Sequence, residues 1–398
     1  MHEMRMKSKI LTVIVCVVIV ATFAVAFMVE KGLGASAESY GVYVQAAGTV
    51  IKLAPDGTQI MRLPKEKLGI PEAGGVAINQ VDGTIWVWSY SGGMTAVAHL
   101  SADGEEILAS WTISQGWVKN LAVDPTDGSV WLSPGYDSYT FKYSADGALL
   151  CTLTSPHTHW CPSISVNPAE QTVWMTDGAA GRVIKLRSDG HLILSLSGFS
   201  VGWIHHVSVD QTDGSVWVAD QDHNEVVKLD TNGDELVRVN VGSMPFFVVA
   251  NPVDGGVWVA FWSEGPVKRL DSSGNVIATS AIIIPGSWVR GLDIAPDGTV
   301  WVAETFAHKL HKLSPTGELL LTIDGDPATF YRPQFVCACI HADVTPPSPV
   351  GGKATPINIP MNQPETPALW TWLTTIILSL VLTVVYVKKR KRDTEINS

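Results

Sequence analysis

The sequence predicts an all-β fold: a seven-bladed β-propeller with four-stranded blades, its last strand closing the first blade. Three observations predict it. A turn-and-strand unit recurs at a nearly fixed period. Gly-containing turns punctuate every unit. The strand count closes only as a ring. The unit is clearest at Asp213-Gly214-Ser215-Val216-Trp217-Val218-Ala219-Asp220. It recurs around Trp86, Trp131, Trp174, Trp258 and Trp301, and these six tryptophans stand 45, 43, 43, 41 and 43 residues apart. Tyr43, in Gly41-Val42-Tyr43-Val44, lies one period of 43 before Trp86. A period of about 43 residues fits one four-stranded propeller blade.

The elements follow in chain order. Residues 1–37 read as a signal peptide or a signal anchor. Arg5, Lys7 and Lys9 precede an apolar run from Ile10 to Val29, and Ala35-Ser36-Ala37 offers a small-residue cleavage site. The propeller is expected over 38–343. An apolar first strand precedes each tryptophan, as at Val207–Val209 and Leu292–Ile294. A third strand of Val-x-Lys-Leu character follows, as at Val183–Leu186 and Val226–Leu229. A turn with Gly190, Gly233 or its equivalent then leads to a fourth strand. Asp-Gly pairs mark the turn before five of the six tryptophan strands, all but that of Trp174, because both residues tolerate positive φ. Second, third and fourth strands number seven, starting at Tyr43. First strands number six before Trp301, so Gln334–Ala338 must supply the seventh and complete the blade that Tyr43 opens. Such closure leaves no free sheet edge.

Beyond the propeller, 344–367 read as a stalk. Seven prolines from Pro346 to Pro367 exclude helix and sheet there. A transmembrane helix is expected over 368–387. Leu369 to Val387 is 19 residues without a charge, about 28 Å as a helix and enough for the hydrocarbon core. Trp370 and Trp372 stand at its outer edge. Lys388, Lys389, Arg390, Lys391 and Arg392 follow at once, so 388–398 read as a basic cytoplasmic tail by the positive-inside rule. The propeller is then expected outside a cell membrane, on a single-pass anchor.

The formal net charge is −11. Both ends are basic, so 38–367 alone carries −16. An acidic body repels phosphate backbones and excludes nucleic acid as an expected partner. Cys151, Cys161, Cys337 and Cys339 remain after the leader. Cys337 and Cys339 lie two apart on one strand, a poor geometry for pairing together. Four thiols are expected rather than a disulfide framework. No Asn-x-Ser/Thr sequon occurs between 38 and 367.

The stretch Gly291-Leu292-Asp293-Ile294-Ala295-Pro296-Asp297-Gly298-Thr299-Val300-Trp301-Val302-Ala303-Glu304 resembles an NHL-type repeat and the blade of the streptogramin lyases. The following Lys309-Leu310-His311-Lys312-Leu313-Ser314-Pro315-Thr316-Gly317-Glu318 extends the match. The resemblance covers the ectodomain and implies a seven-bladed scaffold. It also implies, as an alternative function, a Mg²⁺-assisted lyase or hydrolase using His205, Asp220, Arg290 and Glu304. The site implied by the family needs loop histidines and acids from neighbouring blades. This sequence departs from that pattern: the blade after His205 and Asp220 has Phe246 and Phe261 instead.

A propeller gathers equivalent positions of all blades around one axis, and function concentrates on one loop face. Four positions before the first strands stand Trp117, Trp160, Trp203 and Trp288. Nearer the strands lie Lys119, His205, His206 and Arg290. Three residues after the strand tryptophans come Asp177, Asp220 and Glu304. The expected site is therefore a mixed-charge centre inside an aromatic rim. It suits a protein or glycan ligand, with no resident metal or cofactor and no assigned catalytic residue. Under the lyase alternative, Mg²⁺ would be required. The strand tryptophans are expected to pack blade against blade. Asp293 is expected to face the channel.

Overall fold

The computed structural model describes residues 40–340, except 115–116, 136–138, 155–159, 243, 263–264, 285–288 and 326–331. The expected leader, stalk, membrane helix and basic tail lie outside the described residues. Among the described residues no helix is long and apolar enough to cross a membrane.

The described residues form seven four-stranded antiparallel sheets. Blade 1 consists of Phe335–Ile340, Tyr40–Ala46, Thr49–Leu53 and Gln59–Leu63, in that spatial order. The closing strand pairs with the opening one in the expected way, with Val42 opposite Ala338 and Val44 opposite Val336. Blades 2 to 7 are continuous in sequence. Their first strands are Gly75–Ile78, Val118–Val123, Ile164–Asn167, Ile204–Val209, Pro245–Ala250 and Val289–Ile294. Each first strand contacts the first strands of both neighbouring blades, so seven of them make a closed inner ring.

The tryptophan strands supply the glue between blades. Trp86, Trp131, Trp174, Trp217 and Trp301 are fully buried, as is Tyr43. Trp217 packs with Val248, Val257 and Leu270 of the next blade, and Trp258 with Leu292, Val300 and Leu313 of the next. Trp301 packs with Val42, Ile51 and Leu53 and so joins the last blade to the first. The lysine of Val-x-Lys-Leu stands opposite the ring in the sheet, as Lys228 does opposite Trp217. Its stem lies over the indole, with Nζ 5.5 Å from the ring centre. Its ammonium then donates to a carbonyl of the following blade: Lys228 to Gly255 at 2.9 Å, Lys142 to Ser188 at 2.9 Å, Lys185 to Thr231 at 2.6 Å and Lys312 to Pro55 at 2.8 Å. A lysine position that looks like a solvated strand face is thus a buried inter-blade latch, with its aliphatic stem covering apolar surface.

The Asp-Gly turns differ from the expected two-residue hairpins. Gly214 has φ of 73°, but Asp213 is not in the left-handed region. The loop is longer, with Gly214 N–H donating to Asp210 O at 2.9 Å. The Asp213 carboxylate instead accepts from Ser215 N at 2.9 Å, the local side-chain bond that aspartates favour in turns. Cys151 forms no disulfide.

Asp293 lies at the closing seam. It faces the inner ring, as the sequence implies, but its carboxylate accepts from Ala338 N at 2.8 Å and Ile294 N at 2.9 Å. Ser165 and Ser208 occupy the same role in other blades, accepting from Val209 N at 3.1 Å and Ala250 N at 3.0 Å. Burial pushes Asp293 from 3.8 up to about 7. The folded state then holds the proton more tightly than the unfolded chain. Stability from this group is fully present below pH 3.8 and is lost as pH rises through about 7. The gap corresponds to at most about 4 kcal/mol, reduced by residual contact with channel water. Asp293→Asn is expected to be more stable than the parent at pH 8 and to lose the decline between pH 4 and 7. Urea midpoints at pH 5 and pH 8 check this.

Candidate functional site

The loops entering the first strands and the ends of the second strands surround a cavity of about 640 Å³ at one end of the channel. Seven of the residues expected from sequence line it: Trp117, Lys119, Trp160, Trp203, His205, His206 and Arg290. Trp288 lies outside the described residues.

The aromatic rim is held from behind. The residue four positions after a strand tryptophan donates its N–H to the carbonyl of the loop aromatic. Gly135 bonds Trp117 O at 2.6 Å, Gly178 bonds Trp160 O at 2.8 Å and Gln221 bonds Trp203 O at 3.0 Å. Gly178 also seats the Trp160 ring, since a Cβ there would stand 2.4 Å from Cε3. Trp117 and Trp203 remain 37% and 42% exposed, so their rings are rim rather than wedge. Trp160 meets Trp203 edge to face at 6.0 Å.

The floor is cationic. Lys119 lies over the Trp160 ring at 5.3 Å. Burial, with Arg290 adding repulsion, lowers Lys119 from 10.5 to about 8. Arg290 donates to Gln334 Oε1 at 3.3 Å, and burial and Arg332 lower it in turn. His205 is almost wholly buried, 4.3 Å from Phe246 and 5.8 Å from Trp203. His206 stacks on Phe247 at 3.7 Å. Burial, with nearby Lys119, pushes both imidazoles far below their ordinary value, His206 to about 3. Both are neutral at physiological pH. His205 Nε2 and His206 Nδ1 have no hydrogen-bond partner among the described residues.

The acids expected in the centre are elsewhere. Asp177, Asp220 and Glu304 do not line the cavity. All three are buried at the ends of their second strands and held by local partners. Asp177 accepts from Ala180 N and pairs with Arg182. Asp220 accepts from Ser200 N at 3.1 Å and contacts His223 Nδ1 at 2.8 Å. Glu304 contacts His311 Nε2 at 2.9 Å. The three acids share one register at the strand ends, but their side chains turn to local partners rather than to the cavity, as buried charge requires. Among the described lining residues the charge is not mixed, since none of them carries a carboxylate.

This decides how well Mg²⁺ fits. The ion takes oxygen ligands, usually one or two carboxylates. The set His205, Asp220, Arg290 and Glu304 does not converge, and the cavity offers cations and neutral imidazoles. The described lining residues do not fit a Mg²⁺ site there. Asp220, His223 and Glu225 do gather, with ligand atoms within 4.8 Å. Arg238 at 2.8 Å from Glu225 supplies the positive charge that group needs.

Sequence reasoning missed Trp88, Tyr90, Phe247, Trp262, Gln334 and Phe335 as lining residues. A signal existed. The entering loops of blades 2 and 6 carry Glu72 and Met244 where the others carry an aromatic. In those blades the second strand or its end supplies the ring instead, through Trp88, Tyr90 and Trp262.

No protein-family model matches the sequence, and no curated protein matches it. Solved structures are similar in fold. Virginiamycin B lyase from Staphylococcus aureus is 17% identical, over 63% of this chain and 84% of that one, at a TM-score of 0.55. A streptogramin B lyase is 14% identical, over 72% and 88%, at 0.56. A functionally unknown protein from Desulfotomaculum acetoxidans DSM 771 is 14% identical, over 76% and 99%, at 0.60. The class defined by fold and comparison is a seven-bladed β-propeller on a streptogramin-lyase-like scaffold. At these identities the likeness concerns the scaffold and not the activity.

Proposed function

We propose that the chain is a membrane-anchored, surface-displayed binding module. The propeller stands outside on its Pro-rich stalk and engages a protein or glycan ligand at the channel mouth. The observation that carries this reading is the 640 Å³ cavity, ringed by exposed indoles over a polar floor. Concave, largely apolar sites with a few convergent polar groups are where ligands bind. The leader and the 368–387 helix support the surface placement by sequence alone. The lyase or hydrolase alternative is the weaker reading, since Asp220 and Glu304 bond within their own hairpins.

The test is a panel of glycans and peptides against the full-length protein in detergent. Trp117→Ala and Trp203→Ala should each weaken binding of the ligand found, by about twofold to tenfold if each ring contributes 0.5–1.5 kcal/mol. The double variant should bind weaker still. Unchanged affinity in the double variant would remove the mouth as the binding site.

A further inference from the structure

We infer that the ligand taken at this mouth is an acidic saccharide, its carboxylate held against Lys119 and Arg290 and its sugar rings laid on the indole rim. The inference rests on the binding reading above and names its ligand chemistry.

Three observations carry it. The first is charge. The body from 38 to 367 is strongly acidic, at −16. Yet its cavity collects Lys119 and Arg290, with no carboxylate among the described lining residues. Two like charges held near each other, both with burial opposing their charge, favour an incoming anion. Guanidinium and ammonium groups bind carboxylates by charge-assisted bonds.

The second is the pair of buried imidazole nitrogens. His205 Nε2 and His206 Nδ1 lack a partner among the described residues. His205 is only 4% exposed and lines the cavity. A neutral imidazole offers one donor and one acceptor. A hydroxyl can answer either role, so a hydroxyl-rich ligand can meet both of these nitrogens. Leaving such groups unmatched is costly.

The third is the rim. Trp117 and Trp203 are partly exposed beside the cavity, and Trp160 also lines it. An indole face is a flat apolar surface, matched by the C–H face of a sugar ring. An aromatic carboxylate would use the rim and the cations but would leave the imidazoles unanswered.

Protonation adds a signature. Lys119 shares the cavity with Arg290, His205, His206 and Tyr90, and Arg332 stands close to Arg290. The histidines stay neutral through the neutral range, so affinity should be flat from pH 5 to 7. It should fall as Lys119 loses its proton above about 8. The expected loss between pH 7 and 9.5 is about tenfold, the worth of one charge-assisted bond.

The experiment titrates the full-length protein with uronate- and sialate-terminated oligosaccharides, each paired with its neutral methyl ester. Acidic peptides and benzoate are run beside them. At least one acid form is expected to bind about tenfold tighter than its ester. Lys119→Met should shrink that difference several-fold, with Arg290 still meeting the carboxylate, and should weaken ester binding less than acid binding. Lys119→Arg should keep the affinity at pH 7 and abolish the fall toward pH 9.5. Equal binding of acid and ester overturns the inference, as does tighter binding of peptide or benzoate. If a neutral glycan binds and depends on Trp203 while no acidic one does, the inference fails and the binding reading stands. If nothing binds, both fail.

Discussion

Deleting residues 334–343 from the otherwise intact chain is expected to abolish the folded propeller. The closing strand contributes six paired positions against Tyr40–Ala46. Its flanks add Gln334 N to Gln45 O at 3.1 Å and Thr305 Oγ1 to Pro333 O at 2.8 Å. Gly291 in the neighbouring blade is approached so closely that a Cβ would lie 2.7 Å from Gln334 O. Without the strand, Tyr40–Ala46 becomes a free edge, although all seven of its residues are buried. Its sequence, Tyr-Gly-Val-Tyr-Val-Gln-Ala, carries no charge to protect it. Such an edge pairs with other chains. The deleted chain should elute as aggregate and show no cooperative urea transition. A monomer as stable as the parent would contradict the ring.

Trp217→Ala is the second large effect. The ring is fully buried between blades 5 and 6. Its Nε1 donates to Gly255 O at 3.2 Å, the same carbonyl that Lys228 reaches. Truncation removes the indole, leaves a cavity and strips the cover from the lysine stem. The expected cost is about 3–5 kcal/mol. Among the described residues, Trp174 and Trp301 repeat the burial and the lysine cover but not the Nε1 bond, so Trp174→Ala and Trp301→Ala should cost amounts in the same range. Urea denaturation of the three variants checks the repeat as well as the magnitude.

The contrast between these tryptophans and those of the rim shows how far the sequence could be read. Blade number, strand order and closure were legible because the period of 43 and the Asp-Gly turns are local and repeated. The burial of Trp217 was legible because an aromatic ring repeated in register in every blade packs blade against blade. The lysine latch was not legible, since Lys228 alternates like a solvent-facing residue and only the neighbouring blade gives it Gly255. The positions of Lys119, His205 and Arg290 were legible from register. The orientation of Asp177, Asp220 and Glu304 was not. A residue at a strand end can turn to the channel or to its own hairpin, and the deciding partners, Arg182, His223 and His311, have no counterpart in every repeat. Trp262 escaped notice because blade 6 moves its aromatic from the entering loop to the end of the second strand.

The measurement that tests the account most directly compares Trp203→Ala with Trp217→Ala, reading thermal melting and ligand affinity on the same samples. The two residues belong to one blade, fourteen positions apart. The account predicts that Trp203→Ala keeps a melting temperature close to the parent and binds the ligand several-fold more weakly, in line with one exposed ring. It predicts that Trp217→Ala melts far lower, while the fraction still folded binds with parental affinity. A large loss of melting temperature in Trp203→Ala with unchanged affinity would contradict the assignment of the mouth as the binding site.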